Sequence, residues 1–133
     1  MELGLVLLPS NTTNATSLPA QKYLRFRAQS APTTIVPTTV IWPVPSNWTS
    51  PLHMEIKAFN LTHYSFSAGP AGHMSAMQTI GYGAGSVVSY GFTGTLVGVY
   101  ATTNGMGDYG TQGNATKAYV SNWVYQGQGQ FRN

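Results

Sequence analysis

The sequence predicts an all-β fold, an antiparallel β-sandwich or barrel, on three observations. Apolar residues alternate with period two along most of the chain. Turn residues interrupt that alternation roughly every eight to twelve residues, the spacing of short antiparallel strands. No segment repeats its apolar residues at helical spacing, and no internal repeat is found. The 133 residues allow one domain, so residues 1–133 are read as a single module.

Glu2–Leu8 is expected to be the first strand, followed by a polar loop over Pro9–Ser17. Lys22–Ala28 sets Leu24, Phe26 and Ala28 on one face and Tyr23, Arg25 and Arg27 on the other. Ile35–Trp42 is β-rich but contains Pro37, which donates nothing to a ladder and belongs at an edge or a bulge. Trp42–Pro51, with three prolines, reads as a loop. Met54, Ile56 and Ala58 share a face, and the phase then shifts to Tyr64 and Phe66, which places a hairpin turn near Asn60–Thr62. Gly69–Gly72 and Gly81–Gly85 are expected to be turns. Ser86–Phe92, Gly94–Thr102 and Ala118–Gln126 are expected to be strands, with a Gly- and Asn-rich loop over Thr103–Thr116.

Five of the eight asparagines open an Asn-x-Thr triplet: Asn11, Asn14, Asn47, Asn60 and Asn114. With about a fifth of the residues Ser or Thr, chance gives about one or two such triplets, and each is an N-glycan acceptor in a secreted protein. The sequence therefore reads as that of a secreted eukaryotic protein. Met1-Glu2 followed by the short apolar run Leu3–Leu8 is not a signal peptide, so the chain is expected to be a fragment of a larger secreted protein. No apolar stretch approaches the roughly 20 residues of a membrane span, and no membrane partner is expected. Cysteine is absent, which excludes thiol–disulfide redox chemistry, a thiolate metal site and a cysteine nucleophile. The net charge of +3 reflects scarce acids rather than a basic cluster, apart from the short Lys22–Arg25–Arg27 patch, so no nucleic-acid partner is expected.

The acids also limit the chemistry. Glycoside hydrolysis ordinarily needs two carboxylates about 5 to 10 Å apart. Glu2 lies at the terminus, Glu55 alternates out of the Met54/Ile56 face and Asp108 sits in the Gly-rich loop, so all three read as surface charges and no catalytic residue is assigned. His53, His63 and His73 stand in separate segments without a nearby companion, so no metal and no cofactor is expected. Gly81–Gly85 lacks the Lys-Ser/Thr and the helix of a phosphate-binding loop. Ser89 and Ser121 have no evident base.

Aromatic residues are the remaining source of function. Phe26, Phe66, Phe92, Tyr100 and Trp123 fall at strand positions and are assigned to the core. Trp42 and Trp48, flanking the Pro-rich loop, are the candidates for carbohydrate binding or for an interdomain contact, and Tyr82, Tyr90, Tyr109 and Tyr119 are further rings with faces to expose.

The second half of the chain carries a family resemblance. Tyr64-Ser65-Phe66-Ser67-Ala68-Gly69, Ser86-Val87-Val88-Ser89, the run from Gly91-Phe92-Thr93-Gly94 to Gly98-Val99-Tyr100-Ala101, and Ala118–Tyr125 together resemble the C-terminal concanavalin-A-like β-sandwich of glycoside hydrolase family 43. Leu5–Leu8 and Tyr23–Gln29 match earlier strands of that domain. The resemblance implies a jelly-roll accessory module behind a β-propeller that holds the catalytic carboxylates of secreted, often fungal, β-xylosidases and α-L-arabinofuranosidases. It implies the propeller of the same polypeptide as partner and plant cell-wall polysaccharide as the material acted on. Ala68-Gly69-Pro70 stands where many relatives have an Asp-Gly turn, and Ser121 where an Asp is common, which removes the acids of a calcium site. Two other readings remain: an independent carbohydrate-binding module, which needs exposed coplanar aromatics at Trp42 and Trp48, and a small jelly-roll glycanase, which Glu2 and Glu55 would have to serve.

Overall fold

The computed structural model describes residues 1–9, 20–30, 34–89, 95–102 and 118–127. Those residues form six strands in two antiparallel sheets and no α-helix. The first sheet consists of β1 (Glu2–Pro9), β2 (Ala20–Arg27) and β3 (Val40–Pro43), in that order. The second consists of β4 (Leu52–Ala58), β5 (His63–Pro70) and β6 (Gln78–Ala84), also in chain order. The fold is all-β, with each sheet a sequential meander. The chain divides into two compact units, Met1–Gly94 and Thr95–Asn133, and the six strands belong to the first.

Register decides which side chains meet. Leu3 stands opposite Phe26 and Leu5 opposite Leu24, while Val40 faces Phe26 and Trp42 faces Leu24 from the other side. Directly opposed residues share a sheet face, so these six form one apolar face. Its buried centre, Leu24 and Phe26, packs with Phe66, Ala68 and Ile80 of the second sheet. The Phe26 and Phe66 rings lie 4.8 Å apart at a tilt of 44°, a contact worth about 0.5–1.5 kcal/mol beyond the area it buries. On the opposite face, Glu2 Oε1 lies 2.8 Å from Arg27 Nε and 3.1 Å from Arg25 Nη2.

In β6 the run expected as a turn is a strand. Tyr64 pairs with Gly83 and Phe66 with Gly81, and both glycines face the core. A Cβ on Gly81 would overlap the Phe26 ring, and one on Gly83 would overlap Met1 Sδ. Glycine is present because the opposite sheet's side chains occupy that space. A bulge between Phe66 and Ser67 shifts the register, so Ser65 faces Tyr82 while Ser67 faces Thr79. The additional residue, Ile80, stays in the core, and Thr79 and Tyr82 both reach the outer face.

Other expectations are corrected. Of Ile35–Trp42 only the end pairs, and the strand continues through Pro43, the first proline of the supposed loop. Pro43 closes an edge strand where no N–H is required, and the ladder is extended by Val44 N–H donating to Lys22 C=O at 3.0 Å. Ser86–Ser89 is not a strand: Gly85–Val87 forms a 3-10 turn, and Tyr90–Phe92 lie outside the described residues. Residues 95–102 and 118–126 have no regular structure, and Tyr100 and Trp123 are exposed rather than core. Period-two alternation forms a strand only where a neighbouring strand takes up its N–H and C=O groups, so alternation alone does not make one. Phe92 and the whole Thr103–Thr116 loop, with Asp108 and Tyr109, lie outside the described residues.

Candidate functional site

Trp42 and Trp48 are brought together by two local devices. Pairing of β3 with β2 sets Trp42 opposite Leu24. A turn closed by Trp48 N–H donating to Pro45 C=O at 3.0 Å folds the Pro-rich segment back. The indole centroids then lie 5.4 Å apart at an angle of 46°. Both rings are half-buried and pack against the core. Trp48, which had no place in the alternation, is thus a flank of the core. A 46° tilt gives the pair no common plane on which one sugar ring can stack.

Two of the five sequons fall in described residues, Asn47 and Asn60, both exposed; Asn11, Asn14 and Asn114 lie outside them. Asn60 occupies the hairpin turn between β4 and β5, as the phase shift predicted. Its Oδ1 accepts from Thr62 N–H at 2.9 Å, Thr62 Oγ1 at 3.0 Å and His63 N–H at 2.8 Å. An asparagine side chain that mimics a backbone turn in this way fixes the turn and itself together. Asn47 sits in a different setting: its backbone carbonyl accepts from Thr49 N–H at 3.1 Å, and its neighbour Trp48 is anchored on the core.

The two described carboxylates form no pair. Glu2 is not the free surface charge expected of it, since Arg25 and Arg27 hold its carboxylate and its side chain is one-fifth exposed. Glu55 stands on β4 opposite Ser67, in the other sheet, and is half-buried. His53, His63 and His73 are exposed, and His63 Nδ1 lies 2.8 Å from Thr62 Oγ1. No group of three potential metal ligands forms among the described residues.

One feature escaped the sequence reading. Phe59 pairs edge-on with Tyr82, centroids 4.9 Å apart at 60°. The signal was present in phase: Phe59 continues the outward series His53, Glu55, Lys57 beyond the end of β4. Tyr82, by contrast, is one of the tyrosines expected to expose a face, and both it and Tyr119 are exposed.

Comparison with protein-family models, curated proteins and solved structures found no match to this chain.

Proposed function

We propose that the chain is the non-catalytic accessory module of a secreted family 43 glycoside hydrolase acting on xylan- or arabinan-type polysaccharides. In this reading the module is a concanavalin-A-like jelly roll that packs against the catalytic propeller of the same polypeptide. The observation that carries it is apolar surface left bare on edge strands. Leu7 of β1 follows Leu3 and Leu5 on the apolar face yet is 64% exposed, and Ile56 of β4 stands opposite buried Phe66 yet is 48% exposed. Leu5 and Met54, two residues away on the same faces, are also exposed. Exposed apolar side chains on edge strands call for a further layer, which an adjoining domain would supply.

The carboxylates support a non-catalytic role, because Glu2 is neutralised by two guanidinium groups and Glu55 has no acidic companion on its sheet. The exposed Asn60 turn is compatible with secretion. The runner-up, an independent carbohydrate-binding module built on Trp42 and Trp48, is disfavoured by the tilt and half-burial of the rings. The experiment is an assay of the purified chain on aryl xylosides and arabinofuranosides, where no turnover is expected. Turnover that survives purification and is lost in Glu55→Gln would overturn the reading in favour of a self-sufficient glycanase.

A further inference from the structure

The outer face of the second sheet is polar except at one end. Its rows are Lys57–Ser65–Tyr82 and Glu55–Ser67–Thr79, and Ser67 Oγ and Thr79 Oγ1 lie 3.1 Å apart. At the end near the hairpin turn lies the Phe59–Tyr82 pair, with Tyr82 directly opposite the buried Ser65. Phe59 is 60% and Tyr82 47% exposed. The bulge at Phe66/Ser67 sends Tyr82 and Thr79 to the same face, so this aromatic position is set by the backbone and not by a mobile side chain.

Asn60 follows Phe59 directly. Three hydrogen bonds to Oδ1 fix its carboxamide, and Nδ2 donates to no described residue. We propose that Asn60 carries an N-glycan whose first N-acetylglucosamine lies against the Phe59–Tyr82 rings, a docking surface whose occupant is the chain's own sugar. The inference rests on the secretory passage contained in the proposed function. In the transfer, Asn60 Nδ2 bonds to the anomeric carbon of a lipid-pyrophosphate-linked oligosaccharide. The bond from that carbon to the pyrophosphate oxygen breaks, the lipid pyrophosphate leaves with the electron pair, and one Nδ2 proton passes to a base of the transferase.

The choice of a tethered sugar over a free one follows from concentration. A single ring contact is too weak to hold a free sugar, because association costs translational and rotational freedom. A sugar attached one residue from the rings meets them at the high effective concentration of a short tether, so the same weak contact is populated. The apolar C–H face of the sugar covers the rings, while its hydroxyls face water and the neighbouring Lys57 and Glu55.

The experiment uses the full chain with Asn60 as its sole sequon, through Thr13→Ala, Thr16→Ala, Thr49→Ala and Thr116→Ala. It is made in a eukaryotic secretory host, trimmed to one N-acetylglucosamine, and compared with the same chain from bacteria. Glycopeptide mass reads occupancy, and thermal melting reads the contact. Occupied Asn60 is expected to raise the melting temperature by about 3 °C. Phe59→Leu and Tyr82→Leu, which keep an apolar side chain without an aromatic face, are expected to remove that gain at unchanged occupancy. A bare Asn60 overturns both this inference and the secretory reading. An occupied Asn60 with no gain, or a gain that survives Tyr82→Leu, overturns the docking alone. So does binding of xylohexaose to the bacterial form that Tyr82→Leu abolishes, which would give the rings to a free sugar.

Discussion

The Phe26 ring lies where a side chain at Gly81 would begin, so the two sheets approach at that point as closely as glycine allows. Phe66 holds the same ring from the side at 4.8 Å, which leaves it little room to yield. Gly81→Ala is therefore expected to cost about 1–3 kcal/mol through overpacking, read as a lower urea midpoint. Gly4→Ala, with nothing within 4 Å of the added methyl, is expected to leave the midpoint in place. Phe26→Leu should recover part of the Gly81→Ala loss in the double variant, and additive losses would locate the strain elsewhere.

Trp48 contributes to the stability of the module itself. It flanks the core and meets Trp42 at 5.4 Å, so Trp48→Ala is expected to destabilise the isolated chain by about 2 kcal/mol, below the figure for a fully buried tryptophan. Denaturant titration monitored by far-ultraviolet dichroism checks this. An unchanged midpoint would return Trp48 to the surface as a candidate sugar or domain contact.

Glu2 ties β1 to β2 through Arg25 and Arg27. Glu2→Gln is expected to cost about 1 kcal/mol at low ionic strength and less at high ionic strength. Thermal melts across a salt series give the test, and a salt-independent loss would mean that packing of the side chain matters more than its charge.

Of the two described sequons, Asn60 is expected to be the better acceptor in a secretory host. Its turn is exposed and its carboxamide fixed, whereas the Asn47 turn is held down by Trp48. Site-resolved glycopeptide analysis reads both occupancies at once. Higher occupancy at Asn47 would show that the fixed turn at Asn60 hinders the transferase.

What the sequence revealed follows from how much of each element is written in alternation. β1, β2 and the β4–β5 hairpin were legible because Leu3/Leu5, Leu24/Phe26 and the shift from Ile56 to Tyr64 carry strong period-two signals. β6 was not, because Gly81 and Gly83 read locally as turn residues and owe their place to Phe26 and Met1, far away in the chain. The bulge that returns Ile80 to the core and sends Tyr82 outward is likewise a property of pairing, invisible along one chain. Trp42 and Trp48 stood out in the sequence as aromatics beside a Pro-rich loop, but their tilt and half-burial depend on the β2–β3 register and the Pro45–Trp48 turn. Alternation over 95–102 and 118–126 predicted strands where the described residues have no regular structure, because strand formation also depends on a pairing neighbour that one chain's pattern does not specify.

The central claim is that the bare apolar residues of β1 and β4 are a docking face for an adjoining catalytic domain. Its most direct test is the melting temperature of the module alone and joined to the family 43 propeller that the proposed function requires, in wild type, Leu7→Ser and Ile56→Ser. Both residues are largely exposed in this chain, so the substitutions should leave the lone module's melting temperature nearly unchanged. Joining the propeller should raise the wild-type value by about 5 °C, and each substitution should shrink that gain. Equal melting temperatures in the joined and separate forms, or a gain untouched by both substitutions, would contradict the account.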